Sequence, residues 1–98
     1  MLIRSQDKKR LVEALGVEIN TNMVKFLNCV FIDVLLRGNG VIKVAQYSTE
    51  EKALKVFDMI QEHLSTKIVD FDLNGKITRE VYKADFPFQM PKDEDVTV

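Results

Sequence analysis

Val34-Leu35-Leu36-Arg37-Gly38-Asn39-Gly40-Val41-Ile42-Lys43-Val44-Ala45 is the stretch on which the fold of this chain turns. Two apolar runs flank Gly38-Asn39-Gly40, residues suited to a tight turn, which predicts a β-hairpin. The first run is ambiguous taken alone, because Met23, Phe26, Leu27, Val30, Phe31, Val34 and Leu35 also fall at helical spacing with Gly38 placed as a stop. Its partner decides for a strand at 28–37: residues 41–45 are β-rich, too short for a helix, and need a neighbour. With 38–40 as the loop, Leu36 faces Ile42 and Val34 faces Val44, one sheet face becomes continuously apolar, and Gly40 takes the left-handed conformation. A two-residue loop mixes both faces, since a slip of one residue turns every side chain over.

Working outward, Ser48-Thr49-Glu50-Glu51 reads as a capping box, with the Ser48 hydroxyl and the Glu51 carboxylate satisfying amides at a helix start. Behind it Ala53, Val56, Phe57, Ile60 and Leu64 form one apolar stripe, and Glu51, Lys55, Asp58 and Glu62 lie opposite. Residues 2–5 and 10–14 read as short strands around Gln6-Asp7-Lys8-Lys9. A second hairpin signal, Asn74-Gly75, separates 67–72 from 77–82, and 86–90 form a last strand that Pro87 confines to a sheet edge. The expectation is an α+β protein: a small antiparallel sheet of about five to seven strands, with one main amphipathic helix at about residues 48–64 packed on one face. Ninety-eight residues, 46% apolar and 30% charged, make one core and one domain, 1–98, with residues 92–98 as a flexible acidic tail.

A formal net charge of −1 provides no long-range field to concentrate a polyanion, which counts against nucleic acid as a partner. Cys29 is the only cysteine, so no internal disulfide is available, and the opening residues lack the apolar run of a secretory leader. The longest apolar stretch, Cys29 to Leu36, is interrupted by Asp33 and falls far short of the roughly 20 residues that span a bilayer. No membrane segment and a cytoplasmic location are therefore expected.

The sharpest chemical pattern is Asp70-x-Asp72-x-Asn74-Gly75-x-Ile77-x-x-Glu80, which resembles an EF-hand calcium loop from its first ligand to its eighth position. Alternating oxygen ligands around a glycine bend are what a short loop needs to wrap a hard cation. The closing acid comes one residue early, since Val81 stands where the twelfth ligand belongs, and Pro87 leaves little room for a following helix. A hairpin turn whose acids are solvated or cap backbone amides accounts for the same residues. Asp70, Asp72, Asn74 and Glu80 stay as candidates for a calcium-binding module, with no metal or cofactor assigned.

Cys29 and His63 are single, too few for the usual zinc sites. As a nucleophile and base they would have to meet in space, whereas Cys29 opens an apolar strand and His63 flanks the helix stripe in its last turn. No nucleophile elbow, phosphate loop or dinucleotide fingerprint is present. No residue is nominated as catalytic, and the chain is read as a non-enzyme. Arg4, Lys8, Lys9 and Arg10 make a basic end for which phosphate contact is conceivable and a solvated turn the ordinary reading; Asp93-Glu94-Asp95 carry the opposite sign.

The opening Ile3-Arg4-Ser5-Gln6-Asp7-Lys8, the segment Tyr47-Ser48-Thr49-Glu50-Glu51-Lys52-Ala53-Leu54 running on to Ile60-Gln61, and the closing Gln89-Met90-Pro91 resemble a group of short, uncharacterised bacterial proteins, many of them phage-borne. The resemblance covers about a third of the chain. It implies a small sheet in which the first and last strands lie together with the helix on one side, and it carries no activity or site residues. The leading expectation is a non-enzymatic accessory or interaction protein of phage or mobile-element origin. Its partner is an unidentified protein or a second copy, paired through an edge strand where Phe86, Phe88 and Met90 supply apolar contacts. The alternatives are the calcium module and a nucleic-acid-binding accessory factor.

Overall fold

The computed structural model describes residues 1–21 and 29–98. The question of helix or strand at 22–28 lies outside them. The chain is α+β, with strands β1 (Leu2–Arg4), β2 (Leu11–Glu13), β3 (Gly16–Asn20), β4 (Val30–Leu35) and β5 (Val41–Tyr47), helix α1 (Glu50–Ser65), then β6 (Lys67–Phe71), β7 (Ile77–Tyr82) and β8 (Phe88–Gln89). In place of one antiparallel sheet, the described strands form three small sheets, ordered β2-β1-β8, β3-β4-β5 and β6-β7. β8 runs parallel to β1, pairing Ile3 with Phe88 and Arg4 with Gln89, so the first and last strands lie side by side. Pro87 sits just before that edge strand, where its missing N–H costs no ladder bond.

The central hairpin keeps its three-residue loop but shifts it to Arg37-Gly38-Asn39, because the Leu36 amide bonds to the Gly40 carbonyl at 2.8 Å. The left-handed positions are Gly38 (φ +87°) and Asn39 (φ +67°) rather than Gly40. Val34 then faces Ile42 where Leu36 was expected to. A slide of two residues leaves each side chain on its own face, so the apolar face survives. Between Asp33 and Ile32 a bulge inserts Val44, after which Ile32 faces Ala45 and Val30 faces Tyr47. Val44 and Ala45 are consequently both buried, and the Val44 carbonyl turns outward to accept the Gln6 amide at 2.8 Å.

β3 is absent from the reading of the sequence, although Val17-Glu18-Ile19-Asn20 alternates as a half-buried strand should. It pairs antiparallel with β4, and Val17 and Ile19 pack against the core. The chain passes from one sheet to the next at a single corner: the Ala14 amide bonds to the Met1 carbonyl, and the adjacent Leu15 amide to the Leu35 carbonyl. Both three-stranded sheets and α1 share one core, built on Ile3, Ile32, Val34, Tyr47, Val56 and Met90.

The helix cap is Thr49 rather than Ser48, its hydroxyl accepting the Lys52 amide at 3.2 Å. Ser48 is held instead by Asp93, whose carboxylate accepts its amide at 2.7 Å and its hydroxyl at 3.2 Å, and takes Lys52 Nζ at 3.2 Å. A carboxylate beside a helix start also meets the positive end of the helix dipole. These bonds hold Asp93 below the usual carboxylate range, the Ser48 amide contributing most. Val96 follows at 5% exposure in the core, so within the stretch 92–98, expected to be a flexible tail, Asp93 and Val96 are packed against the fold.

β6 and β7 form a ribbon that leaves the helix directly, tied at its base by the Lys83 amide bonding to the Thr66 carbonyl at 3.0 Å. Its side chains are exposed apart from the half-buried Val69 and Val81. The molecule measures 61 × 34 × 20 Å with a radius of gyration of 16.1 Å. A compact chain of this length has about 13 Å, and a projecting ribbon explains the excess.

Candidate interaction surface

Helix α1 carries one apolar stripe, with Leu54 set off to its side. Ala53, Val56 and Ile60 are buried against the sheets. Leu54 lies about 100° round the helix from Ala53, with Phe57 between them, while Leu64 continues the buried stripe beyond Ile60. Leu54, Phe57, Ile60 and Leu64 face the β2–β3 corner across a cleft of about 560 Å³, walled on the far side by Ala14, Leu15, Gly16 and Val17. Leu15, Leu54 and Leu64 are 63%, 50% and 48% exposed, and Asp58 and Gln61 supply polar atoms beside them. The cleft thus combines an apolar floor with a few polar groups along it. The signal in the sequence is Leu54, an apolar residue with no place on the buried stripe; Leu64 stands at the half-exposed end of that stripe and lines the cleft together with Ile60.

The ribbon presents the other concentration of exposed apolar side chains: Ile68, Phe71, Leu73, Ile77 and Tyr82, with Phe86 just beyond. The expected apolar edge of Phe86, Phe88 and Met90 is reduced to Phe86, since Phe88 and Met90 are 8% and 1% exposed. Pairing with β1 carries both into the core, and the Met90 amide bonds to the Arg4 carbonyl at 3.0 Å.

The calcium candidates occupy this ribbon without converging. One Asp72 carboxylate oxygen accepts the amides of Asn74 and Lys76, each at 2.9 Å, and so holds the turn. Asp70 faces Arg79 across the strands with its carboxylate 4.0 Å from the guanidinium, while Glu80 pairs with Lys67. Because Asp70 shares a face with Arg79, Glu80 projects from the opposite face of the ribbon. Among the described residues no three acidic, histidine or cysteine side chains gather as a metal site would require.

Cys29 and His63 do not meet. Cys29 is buried beside Tyr47 and Ser48 at the start of α1. His63 lies in the last turn, about 20 Å along the helix. There its Nε2 contacts the Phe86 carbonyl at 2.9 Å and its ring meets Phe88 edge-on at 5.4 Å. Tyr47, fully buried, donates its hydroxyl to the Pro91 carbonyl at 2.7 Å. Burial, and secondarily the nearby Asp93 charge, raise its pKa beyond the ordinary tyrosine range, so it serves as a fixed donor.

The four basic residues of the N-terminal end do come together. Arg4, Lys8, Lys9 and Arg10 line one depression of about 460 Å³ with Leu11, Pro87 and Gln89. Among the described residues no helix is long and apolar enough to cross a membrane. Comparison with protein-family models, with curated proteins and with solved structures yields no match for this chain.

Proposed function

We propose that this is a non-catalytic interaction protein that binds another protein chain through its exposed apolar surface. The observation that carries the reading is the leucine-walled cleft between α1 and the β2–β3 corner, whose three leucines stand about half exposed or more. A contiguous exposed apolar patch is the kind of surface at which proteins bind partners. The separation of Cys29 from His63 by a helix length supports a binding role over nucleophilic catalysis. The resemblance to short phage-borne proteins supports placing it among accessory proteins of a mobile element.

Self-association is the first form to test, by light scattering across a concentration series with a Leu15→Glu, Leu54→Glu variant alongside. Both positions are exposed, so the variant should fold normally and should stay monomeric where the native chain associates. If the native chain is monomeric at high concentration, self-association is excluded. A photo-reactive residue at position 54 then tests for a different partner in cells, and absence of a discrete crosslink that Leu15→Glu abolishes would reject the reading.

A further inference from the structure

We propose that the corner formed by Arg4, Lys8, Lys9 and Arg10 is a binding site for a phosphate-rich anion. It is distinct from the leucine cleft and does not depend on it. The β1–β2 loop is organised around the buried Ser5. The Ser5 amide bonds to the Arg10 carbonyl at 2.9 Å, its hydroxyl accepts the Arg10 amide at 3.1 Å, and its carbonyl accepts the Lys8 amide at 2.9 Å. Lys8 is thereby held in the left-handed region (φ +66°), which only a tied loop sustains in a lysine.

The one carboxylate of this loop is committed to the loop itself. Asp7 Oδ1 accepts from the Ser5 hydroxyl at 2.5 Å and from the Lys9 amide at 3.0 Å. It lines the trough along β5, which Arg10 also borders, and its charge acts on Lys9 and Arg10, but it is not part of the lining of the basic depression. Among the described residues none of Arg4, Lys8, Lys9 or Arg10 forms an ion pair, whereas four other cationic groups in the chain do. Four cations therefore share a depression with no acid in its lining, in a protein whose formal charge is −1.

The donors are oriented as well as gathered. Arg4 Nε bonds to the Lys8 carbonyl at 3.2 Å, which fixes the guanidinium against the loop and leaves its other donors for a ligand. Gln89 closes the far side, its amide locked onto the Ser5 and Met90 carbonyls at 2.9 and 2.8 Å. Two guanidinium forks and two ammonium groups around a shallow floor suit the several anionic oxygens of phosphate better than one carboxylate. With almost no net charge on the chain, the attraction acts only within about one Debye length, roughly 8 Å at physiological salt, so the ligand is recognised locally rather than steered from afar.

The test measures binding of two probes: inorganic tripolyphosphate by calorimetry, and a fluorescein-labelled short oligothymidylate by anisotropy, with polyglutamate as the carboxylate control. Binding of tripolyphosphate alone identifies free polyphosphate as the source, and binding of the oligonucleotide identifies a nucleic-acid backbone. With about three phosphate contacts, oligonucleotide affinity should fall roughly 20-fold between about 50 and 200 mM salt. Lys8→Asn with Lys9→Gln should weaken either probe about tenfold or more, asparagine being tolerated in the left-handed position. Lys55→Gln with Lys76→Gln removes the same charge from exposed sites elsewhere and should leave affinity unchanged. Equal loss in the two variants, equal affinity for polyglutamate, or no binding of either phosphate probe at about 1 mM would overturn the proposal.

Discussion

Val96 separates two pictures of the C-terminal end. In sequence it belongs to an acidic run of ordinary tail character; in the fold it is 5% exposed and packed into the core. Val96→Ala removes two buried methyl groups, worth about 1.5 kcal/mol at roughly 0.8 kcal/mol per carbon. Asp93→Ala removes the acceptor for the Ser48 amide, the Ser48 hydroxyl and Lys52. Hydrogen bonds to a charged acceptor contribute about 1.5 to 3 kcal/mol, but the Asp93 side chain is 40% exposed, so about 1 kcal/mol is the fitting figure. The double variant loses at most about 2.5 kcal/mol, because a terminal segment can detach and so limits its own penalty. Urea unfolding followed by far-ultraviolet circular dichroism should show the midpoint of Val96→Ala lowered by about 0.5 to 1.5 M with an unchanged slope. In a thermal scan the melting temperature should fall by about 6 to 12 °C. A Val96→Ala midpoint equal to that of the native chain would mean that the Val96 side chain does not dock, and would refute its packing into the core.

The pH dependence has a definite sign. Asp93, through the Ser48 amide, and Asp7, through the Ser5 hydroxyl, are both depressed below their ordinary values, so their contribution is complete above about pH 4 and is lost as pH falls through the folded values. The urea midpoint should therefore be flat from about pH 5 to 7 and fall in more acid solution, less steeply in Asp93→Asn. Lys67, raised mainly by its bond to Glu80, behaves oppositely: its contribution is present below about pH 10.4 and lost as pH rises further, which amide exchange in β6 would detect. At the central loop, Gly38→Ala should cost about 1 to 2 kcal/mol in strain at φ +87° with no steric clash, whereas Gly40→Ala should be close to neutral; the reverse order would restore the loop expected from sequence. Asp72→Ala should speed amide exchange at Asn74 and Lys76, and millimolar calcium should leave the native melting temperature unmoved; a rise would revive the calcium reading.

The α+β class, α1, the hairpins at both ends and the edge position of β8 were legible because each rests on local chemistry: a 3.6-residue stripe, turn residues between β-rich runs, a proline where no ladder bond is needed. β3 carries a local signal too, in the alternation of Val17-Glu18-Ile19-Asn20.

Other features were decided only by tertiary structure, because they turn on which residue reaches a shared partner first. Thr49 caps the helix since Asp93, 45 positions away in the chain, has taken Ser48. The hairpin slid by two residues and bulged at Val44 so that one carbonyl could accept Gln6 while both Val44 and Ala45 stayed buried. Leu54 and Leu64 line a cleft because the β2–β3 corner stands opposite, and no periodicity within the helix reports what faces it. The basic end is an intermediate case: its four residues lie close together in the sequence, but only the fold ties Asp7 into the loop itself and sets Gln89 beside them. Local propensity specified the elements, and competition for hydrogen bonds and buried volume specified how they meet.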